Sequence, residues 1–280
     1  MRKVLSFFLV ISVLVMLCAG ASAETRKVGI LSKLNMSQED FSELIANARK
    51  AGTWSFFSSK PADDQIEFKF YDSLQALQLA LNAKEIQEAA LPEVVAEYVI
   101  NVTGQYKISS IAKTKPAYFS FGFRAGDDPE LLNKFNNAIL SMKEDGTLSA
   151  LQAKYIYEPG IGDPEPVEFR KFKNVGDKIV VAVTGDIPPI DFVAPDGNAA
   201  GFNTAVIAAI AERLKINVEL MYISSAARAS ALASKRADAV FWIIAYKNVK
   251  KQSDVPEGIV LSEPYYEWNE YLYISLAGNN

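Results

Sequence analysis

Histidine is absent from this chain of 280 residues, and cysteine occurs once, at Cys18. Without histidine there is no Ser-His-Asp arrangement, no usual general base at neutral pH and no His-built zinc site. A single cysteine forms no internal disulfide and no cysteine cluster for a metal. A basic excess is also missing. The chain carries 29 basic and 33 acidic residues, a net charge of −4, which argues against nucleic acid as a partner. Long apolar runs are lacking except at the start, where Val4 to Leu17 is shorter than the roughly 20 residues of a membrane span.

That first run reads as a targeting segment. Arg2 and Lys3 precede it, and Ala19-Gly20-Ala21-Ser22-Ala23 follows with an A-x-A cleavage pattern. The expectation is a secretory signal peptide over 1–23, with Glu24 the first mature residue. An uncleaved anchor and a lipoprotein lipidated at Cys18 are the alternatives, and Leu17 before Cys18 disfavours the second. The mature part would hold no cysteine and 27 basic against 33 acidic residues. Its length allows one large domain or two lobes.

Along the chain, strand and helix patterns alternate. Lys27–Leu31 and Ile66–Phe70 read as strands. Ser37 can cap a helix from about Gln38. Leu74, Leu77 and Leu81 recur at helical spacing, so Ser73–Asn82 reads as an amphipathic helix. A short apolar stretch, Ala89–Leu91, precedes a helix from about Pro92 to Val99. Tyr118–Arg124 is a strand, and Asp128-Pro129 opens a helix that Gly146 ends, followed by a short helix over Leu148–Tyr155. Glu158 to Pro166 holds three prolines and two glycines and reads as a linker. Beyond it, Ile179–Val183, Val218–Tyr222 and Ala239–Ile244 read as strands, and Asn203–Leu214 and Ala226–Ser234 as helices. Both halves predict α/β lobes with mainly parallel sheets.

Six phrases in the second half stand in a familiar order: IVVAVTGD, IPPIDF, PDG, GFNTAVIAAIAERL, SKRADAVFW and LSEPYYEW. Together they resemble the first lobe of the family 3 extracellular solute-binding proteins, the amino-acid type of ABC-transporter receptor. In the first half, LQALQLALNAKEIQEAALPEVVAEY is similar to that family's second lobe, and FGFRAGDDPELLNKFNNAILSMKEDGTLSALQAKYI to the stretch that normally closes its chain. The order is reversed, which reads as a circular permutation with new ends in the hinge; a tandem pair of receptors cut down at both ends is the alternative. The resemblance implies an α/β, two-lobed, type II periplasmic binding protein-like fold, with a ligand cleft between lobes and permuted lobe order. The expected units are a signal peptide at 1–23 and a second-lobe-like unit at 24–117. A hinge strand with C-terminal-type helices follows at 118–157, then a linker at 158–178. The first-lobe unit is expected at 179–267, and a second hinge strand and tail at 268–280. The hinge strands would be Tyr118–Arg124 and about Trp268–Ile274.

Carried over position by position, most of the family's ligand contacts are changed here. Its aromatic before the Pro-containing loop is Ile187, its second aromatic is Ser225, and its small hydroxyl residue after the strand is Trp242. The arginine that grips a ligand carboxylate falls on Lys250, which keeps the charge but not the two-pronged geometry. The aspartate for a ligand ammonium falls on Pro92, with Glu93 beside it. Tyr246 would add an aromatic wall, and Arg228 either points into the cleft or is solvated. Asp186 and Asp191 flank Pro188-Pro189, with Asp186 the better candidate at a strand end. Asn203 either contacts ligand or caps its helix. Asn35 and Ser37 precede a helix whose free N–H groups would suit an anion. Tyr265, Tyr266 and Trp268 read as hinge packing.

The function this implies is a secreted, monomeric, non-enzymatic receptor without cofactor or metal. It would take a small polar solute, an amino acid or related carboxylate, by hinge closure outside the cytoplasmic membrane, and deliver it to an ABC-transporter permease. A sensor or scaffold with a degenerate cleft is the second reading. A dehydratase-like enzyme with Glu93 as its acid is the third.

Overall fold

The computed structural model describes residues 25–32, 66–157, 166–173, 178–194, 196–246 and 255–278, without the side chains of 112–115, 225, 242–244 and 246. In the first half, β1 (Arg26–Leu31), β2 (Ile66–Tyr71) and β3 (Glu88–Pro92) are joined in parallel, in the order β2-β1-β3. The helix α1 (Leu74–Asn82) buries Leu74, Leu77, Ala80 and Leu81, and its capping residue is Ser73, whose hydroxyl accepts from the N–H of Ala76 at 3.1 Å. Pro92 is both the end of β3 and the cap position of α2 (Glu93–Thr103), which stops at Gly104 in the left-handed conformation. Then comes β4 (Tyr106–Arg124), a strand of 19 residues.

In the second half, Asp128 caps α3 (Pro129–Glu144) by accepting from the N–H of Leu131 at 2.9 Å. A short α4 (Thr147–Gln152) runs into a π-turn over Ala153–Tyr157. The strands β5 (Lys178–Val183), β9 (Asn217–Tyr222) and β10 (Ala239–Tyr246) are again parallel, in the order β9-β5-β10. Between β5 and β9 lie a three-stranded ribbon, β6 (Asp186–Ile187), β7 (Asp191–Val193) and β8 (Ala199–Ala200), and the helix α5 (Phe202–Leu214). A 3-10 turn over Ser225–Ala227 leads into α6 (Arg228–Ala233). The chain finishes with β11 (Ile259–Leu261) and β12 (Tyr266–Leu276).

Two strands tie the halves together. β12 lies antiparallel between β3 and β4 in the first half, and the far part of β4 lies antiparallel between β10 and β11 in the second. Each half therefore has three parallel strands, then an antiparallel strand, then a last one: β2-β1-β3-β12-β4 and β9-β5-β10-β4-β11. The result is a two-lobed α/β fold whose lobes share one sheet through β4 and β12. The crossing is marked by an interruption of the ladder. Trp268 faces Ala117 but Glu270 faces Lys113, so three residues ending in Pro116 bulge out of β4. Proline has no N–H to give a ladder, and a bulge is where a strand tolerates it.

The core runs through both lobes without a break, from Leu77 and Val95 to Val181 and Ile207. At the crossing it is aromatic. Phe121 is fully buried, stacked on Tyr265 at 4.6 Å and edge-on to Phe135 at 5.5 Å. Phe119 lies 4.4 Å from Trp268 and 5.6 Å from Tyr266. Outside the sheet, α3 packs on α4 and α5, and Arg213 of α5 donates to Ser141, Asp145 and Thr147 around the α3–α4 turn. Among the described residues, no helix is long and apolar enough to cross a membrane.

Candidate functional site

Parallel strands in such sheets end at the crevice where open α/β folds place their ligands. In the second lobe, β5 ends at Val183 and turns through Thr184 and Gly185 into β6. Gly185 is left-handed (φ 71°), and a Cβ there would lie 2.6 Å from the Tyr222 ring, so only glycine fits the turn. The turn is held by Asp191. Its carboxylate accepts from the Thr184 and Gly185 N–H groups at 3.0 Å each and from the Thr184 hydroxyl at 3.0 Å. Asp191 is 1% exposed, and burial, the largest influence, pushes its pKa up to about 6 against the pull of those donors; the charge of Asp186 adds to the rise.

Asp186 itself is half-buried. Burial raises its pKa, opposed by the Thr184 hydroxyl, the N–H of Leu74 and the charge of Arg228. Leu74 belongs to α1 of the other lobe, and β6 and α1 are in contact. Arg228, at the start of α6, is 1% exposed, and its Nη1 donates to the Phe241 carbonyl at 3.2 Å. A guanidinium buried this deep is held by its neighbours rather than solvated.

The first lobe presents α2. Glu93 is half-buried at its first position, and burial, then Glu97 and Glu270, raise its pKa. Glu93 and Glu97 both act on Tyr266 of the opposite lobe, whose hydroxyl is pushed up first by burial and then by Tyr157, with which it also shares a hydrogen bond. One turn along α2, the Tyr98 ring lies 6.3 Å from that of Phe192 on β7. The lobes thus meet where β6 touches α1 and where Tyr98 approaches Phe192.

Of the residues singled out in the sequence, Asp186, Arg228 and Glu93 lie on this meeting surface. Ile187 is 1% exposed and belongs to the core. Asn203 does not cap its helix: Gly201 holds the cap position and makes no side-chain cap bond. The Asn203 side chain is fully buried, and among the described residues neither its oxygen nor its nitrogen has a hydrogen-bond partner. Ser225 stands in the 3-10 turn, and Trp242 and Tyr246 on β10; their side chains lie outside the described residues, as do Lys250, Asn35 and Ser37 altogether. Tyr265, Tyr266 and Trp268 are buried against β4. Thr184, Tyr98, Phe192 and Tyr157 were not evident in the sequence. Thr184 sits directly before the Gly185 turn, and that position was the one available signal. Among the described residues, no three Asp, Glu or Cys side chains gather to hold a metal.

Residues 179–274, roughly a third of the chain, match the family model of the bacterial extracellular solute-binding proteins, family 3. That stretch is similar to the family. The family 3 segment begins at Ile179, in β5, and ends at Ile274, in β12, so it takes in the second-lobe turn with Asp186, Asp191 and Arg228. A search of curated proteins finds no match. Similar solved structures include the ligand-binding component of an ABC-type import system from Staphylococcus aureus with zinc bound, at 11% identity and TM-score 0.43, covering 89% of this chain and 65% of that one. The periplasmic aliphatic sulphonate binding protein SsuA from Escherichia coli is 9% identical, with TM-score 0.43 and coverage of 91% and 65%. The VFT2 domain of Bordetella pertussis BvgS is 13% identical, with TM-score 0.39 and coverage of 90% and 80%. The chain spans less than two thirds of the length of the Staphylococcus and Escherichia proteins.

Proposed function

We propose that this protein is a secreted solute-binding receptor that captures a small polar solute, an amino acid or related carboxylate, between its lobes and delivers it to an ABC-transporter permease. The observation that carries the reading is the pairing of two equivalent lobe sheets through β4 and β12, with the family 3 segment forming one of them. Two strands crossing between lobes are the mechanical requirement for closure by hinge motion. The charges on the meeting surface suit a zwitterion. Arg228 is a cation for a carboxylate, and Glu93 with Glu97 are anions for an ammonium. The protein would act without catalysis and as a monomer.

The chain also reads as one receptor with its lobes in exchanged order, divided at 24–117, 118–157, 158–178, 179–267 and 268–280. The packing of α3 and α4 on α5 supports this, since those helices then close on the lobe that follows them in sequence.

The test is mass spectrometry of what copurifies with the protein, followed by a thermal-shift screen of amino acids, small carboxylates and polyamines. A true solute at 100 times its Kd stabilises by about 2.7 kcal/mol. No copurifying molecule and no shift across the screen would move the reading to a sensor or scaffold with a degenerate cleft. The enclosure of Ile187, at the family's aromatic position, favours that second reading.

A further inference from the structure

Where the lobes cross, Trp268 has the faces of its ring occupied and its polar edge unused. The ring lies 6.3 Å from that of Tyr266, nearly parallel at 13°, and 4.4 Å from that of Phe119 at 44°. The residue is 5% exposed, and among the described residues the indole Nε1–H has no acceptor. An indole nitrogen only donates, and a buried donor without a partner weakens a fold, so native proteins keep few of them. Asn203 and Ser120 are also buried without a partner among the described residues, but they lie within the second lobe, on α5 and on the part of β4 that pairs with β10. Trp268 stands elsewhere. It pairs with Ala117, next to the bulge at which β4 passes from one lobe to the other. Carboxylates stand near the ring. Tyr266, Trp268 and Glu270 alternate onto one face of β12. Helix α2 packs on β12, and Tyr271 pairs with Pro92, which sets Glu93, the next residue, beside Glu270. Glu97 follows one turn along α2.

We infer that Trp268 is a solute-binding residue: its indole N–H donates to a neutral oxygen of the solute, a hydroxyl or a carboxamide carbonyl, at the floor of the crevice between the lobes. The inference rests on the reading of the protein as a solute receptor, and it narrows the solute. The donor requires an acceptor, which excludes an apolar group at this end. A carboxylate also accepts, but Glu93, Glu97 and Glu270 would stand beside it, and like charges brought together cost affinity. A neutral oxygen meets neither objection. The same carboxylates accept from a hydroxyl, from a carboxamide NH2 and from an ammonium next to either. Packing against Tyr266 and Phe119 fixes the ring, so the donor is in place before the solute arrives. Among amino acids, these features select serine, threonine, asparagine and glutamine over their acidic and apolar counterparts.

The experiment is calorimetry with two pairs of solutes matched in shape, L-threonine against L-valine and L-glutamine against L-glutamate. The wild type should prefer threonine and glutamine, each by about tenfold, because valine leaves the donor unpaired and glutamate brings a like charge. Trp268→Phe keeps an aromatic ring and removes the donor. It should weaken threonine about two- to tenfold, the scale of a neutral hydrogen bond, and leave valine alone, so that the threonine-to-valine ratio falls towards one. A purely structural role would weaken both alike. Glu93→Gln should shrink the preference for glutamine over glutamate and leave the threonine-to-valine ratio as it is. If Trp268→Phe fails to fold, a tryptophan analogue with sulfur in place of the indole N–H at position 268 keeps the volume and gives the same comparison. A threonine-to-valine ratio near one in the wild type, or one that losing the N–H does not change, overturns the inference, and so does a preference for glutamate. Binding of none of the four also overturns it, while a thermal shift with another class of solute would then leave the receptor reading standing alone.

Discussion

Asp191 should make the stability of this protein fall as pH rises through mild acid, and the size of the fall follows from its surroundings. Three donors point at the carboxylate, from the Thr184 and Gly185 N–H groups and the Thr184 hydroxyl, and on their own they would favour its ionised form. Full burial and the charge of Asp186 work the other way and win, raising the pKa from 3.8 to about 6. A carboxyl with a raised folded pKa binds its proton more tightly folded than unfolded. Between pH 4 and 6 the folded state is protonated and the unfolded state is not. Stability is therefore complete below pH 4, declines through this window and levels off above pH 6. At 1.36 kcal/mol per unit, the loss is about 3 kcal/mol. Asp191→Asn keeps the shape and an acceptor oxygen but cannot ionise. Urea unfolding of both proteins from pH 3.5 to 7.5 at fixed ionic strength gives the difference directly and cancels every other titration. The variant should gain about 3 kcal/mol on the wild type across the window. A difference that stays flat, or one that moves against the variant as pH rises, would mean that the donors outweigh burial, and the argument would fail.

Other substitutions probe the scaffold that holds this turn. Phe121→Ala removes a fully buried ring of the crossing strand that stacks on Tyr265 and meets Phe135 edge-on, and should cost about 3–5 kcal/mol in urea unfolding. Gly201→Ala should cost at least about 1–3 kcal/mol, because φ there is +100° and the added Cβ would lie 2.6 Å from the Ile190 carbonyl oxygen; an unchanged melting curve would contradict that geometry. Asp145 is held to about 2 first by the Thr147 hydroxyl and N–H and then by Arg213. In carboxyl-carbon NMR titration, Arg213→Met should raise its pKa only partway towards the ordinary value, because the Thr147 bonds remain; no movement would mean that the α3–α4 turn does not feel α5.

Local signals carried the elements of this fold, and non-local pairing did not show in the sequence. Ser73 before a Leu-Leu-Leu stripe, and Asp128-Pro129 before another, announced α1 and α3, because a cap and an apolar face act within a few residues. The β-branched run at Ile179–Val183 announced β5 for the same reason. The first part of β4 was invisible. Lys107, Ser109, Ser110, Lys113 and Lys115 make it polar, and Pro116 reads as a stop. It is a strand because β12, from the far end of the chain, supplies its ladder and because the bulge absorbs the proline. The two- and three-residue strands β6, β7 and β8 are too short for any periodicity to register.

The candidate site divides along the same line. Asp186 could be chosen from sequence because it ends a strand at a turn, a local fact. That its strand meets α1 could not, since the two elements are joined only by the approach of the lobes. Arg228 shows the converse. In an Ala- and Ser-rich helix of six residues it looks like a solvated charge, yet the short helix sinks into the lobe and carries the guanidinium to the Phe241 carbonyl. Surrounding an arginine with small residues is what makes this burial possible. Ala227, Ala229 and Ala231 flank it with small side chains. The residues around a charge, more than the charge itself, decided whether it faces solvent or the interior of its lobe.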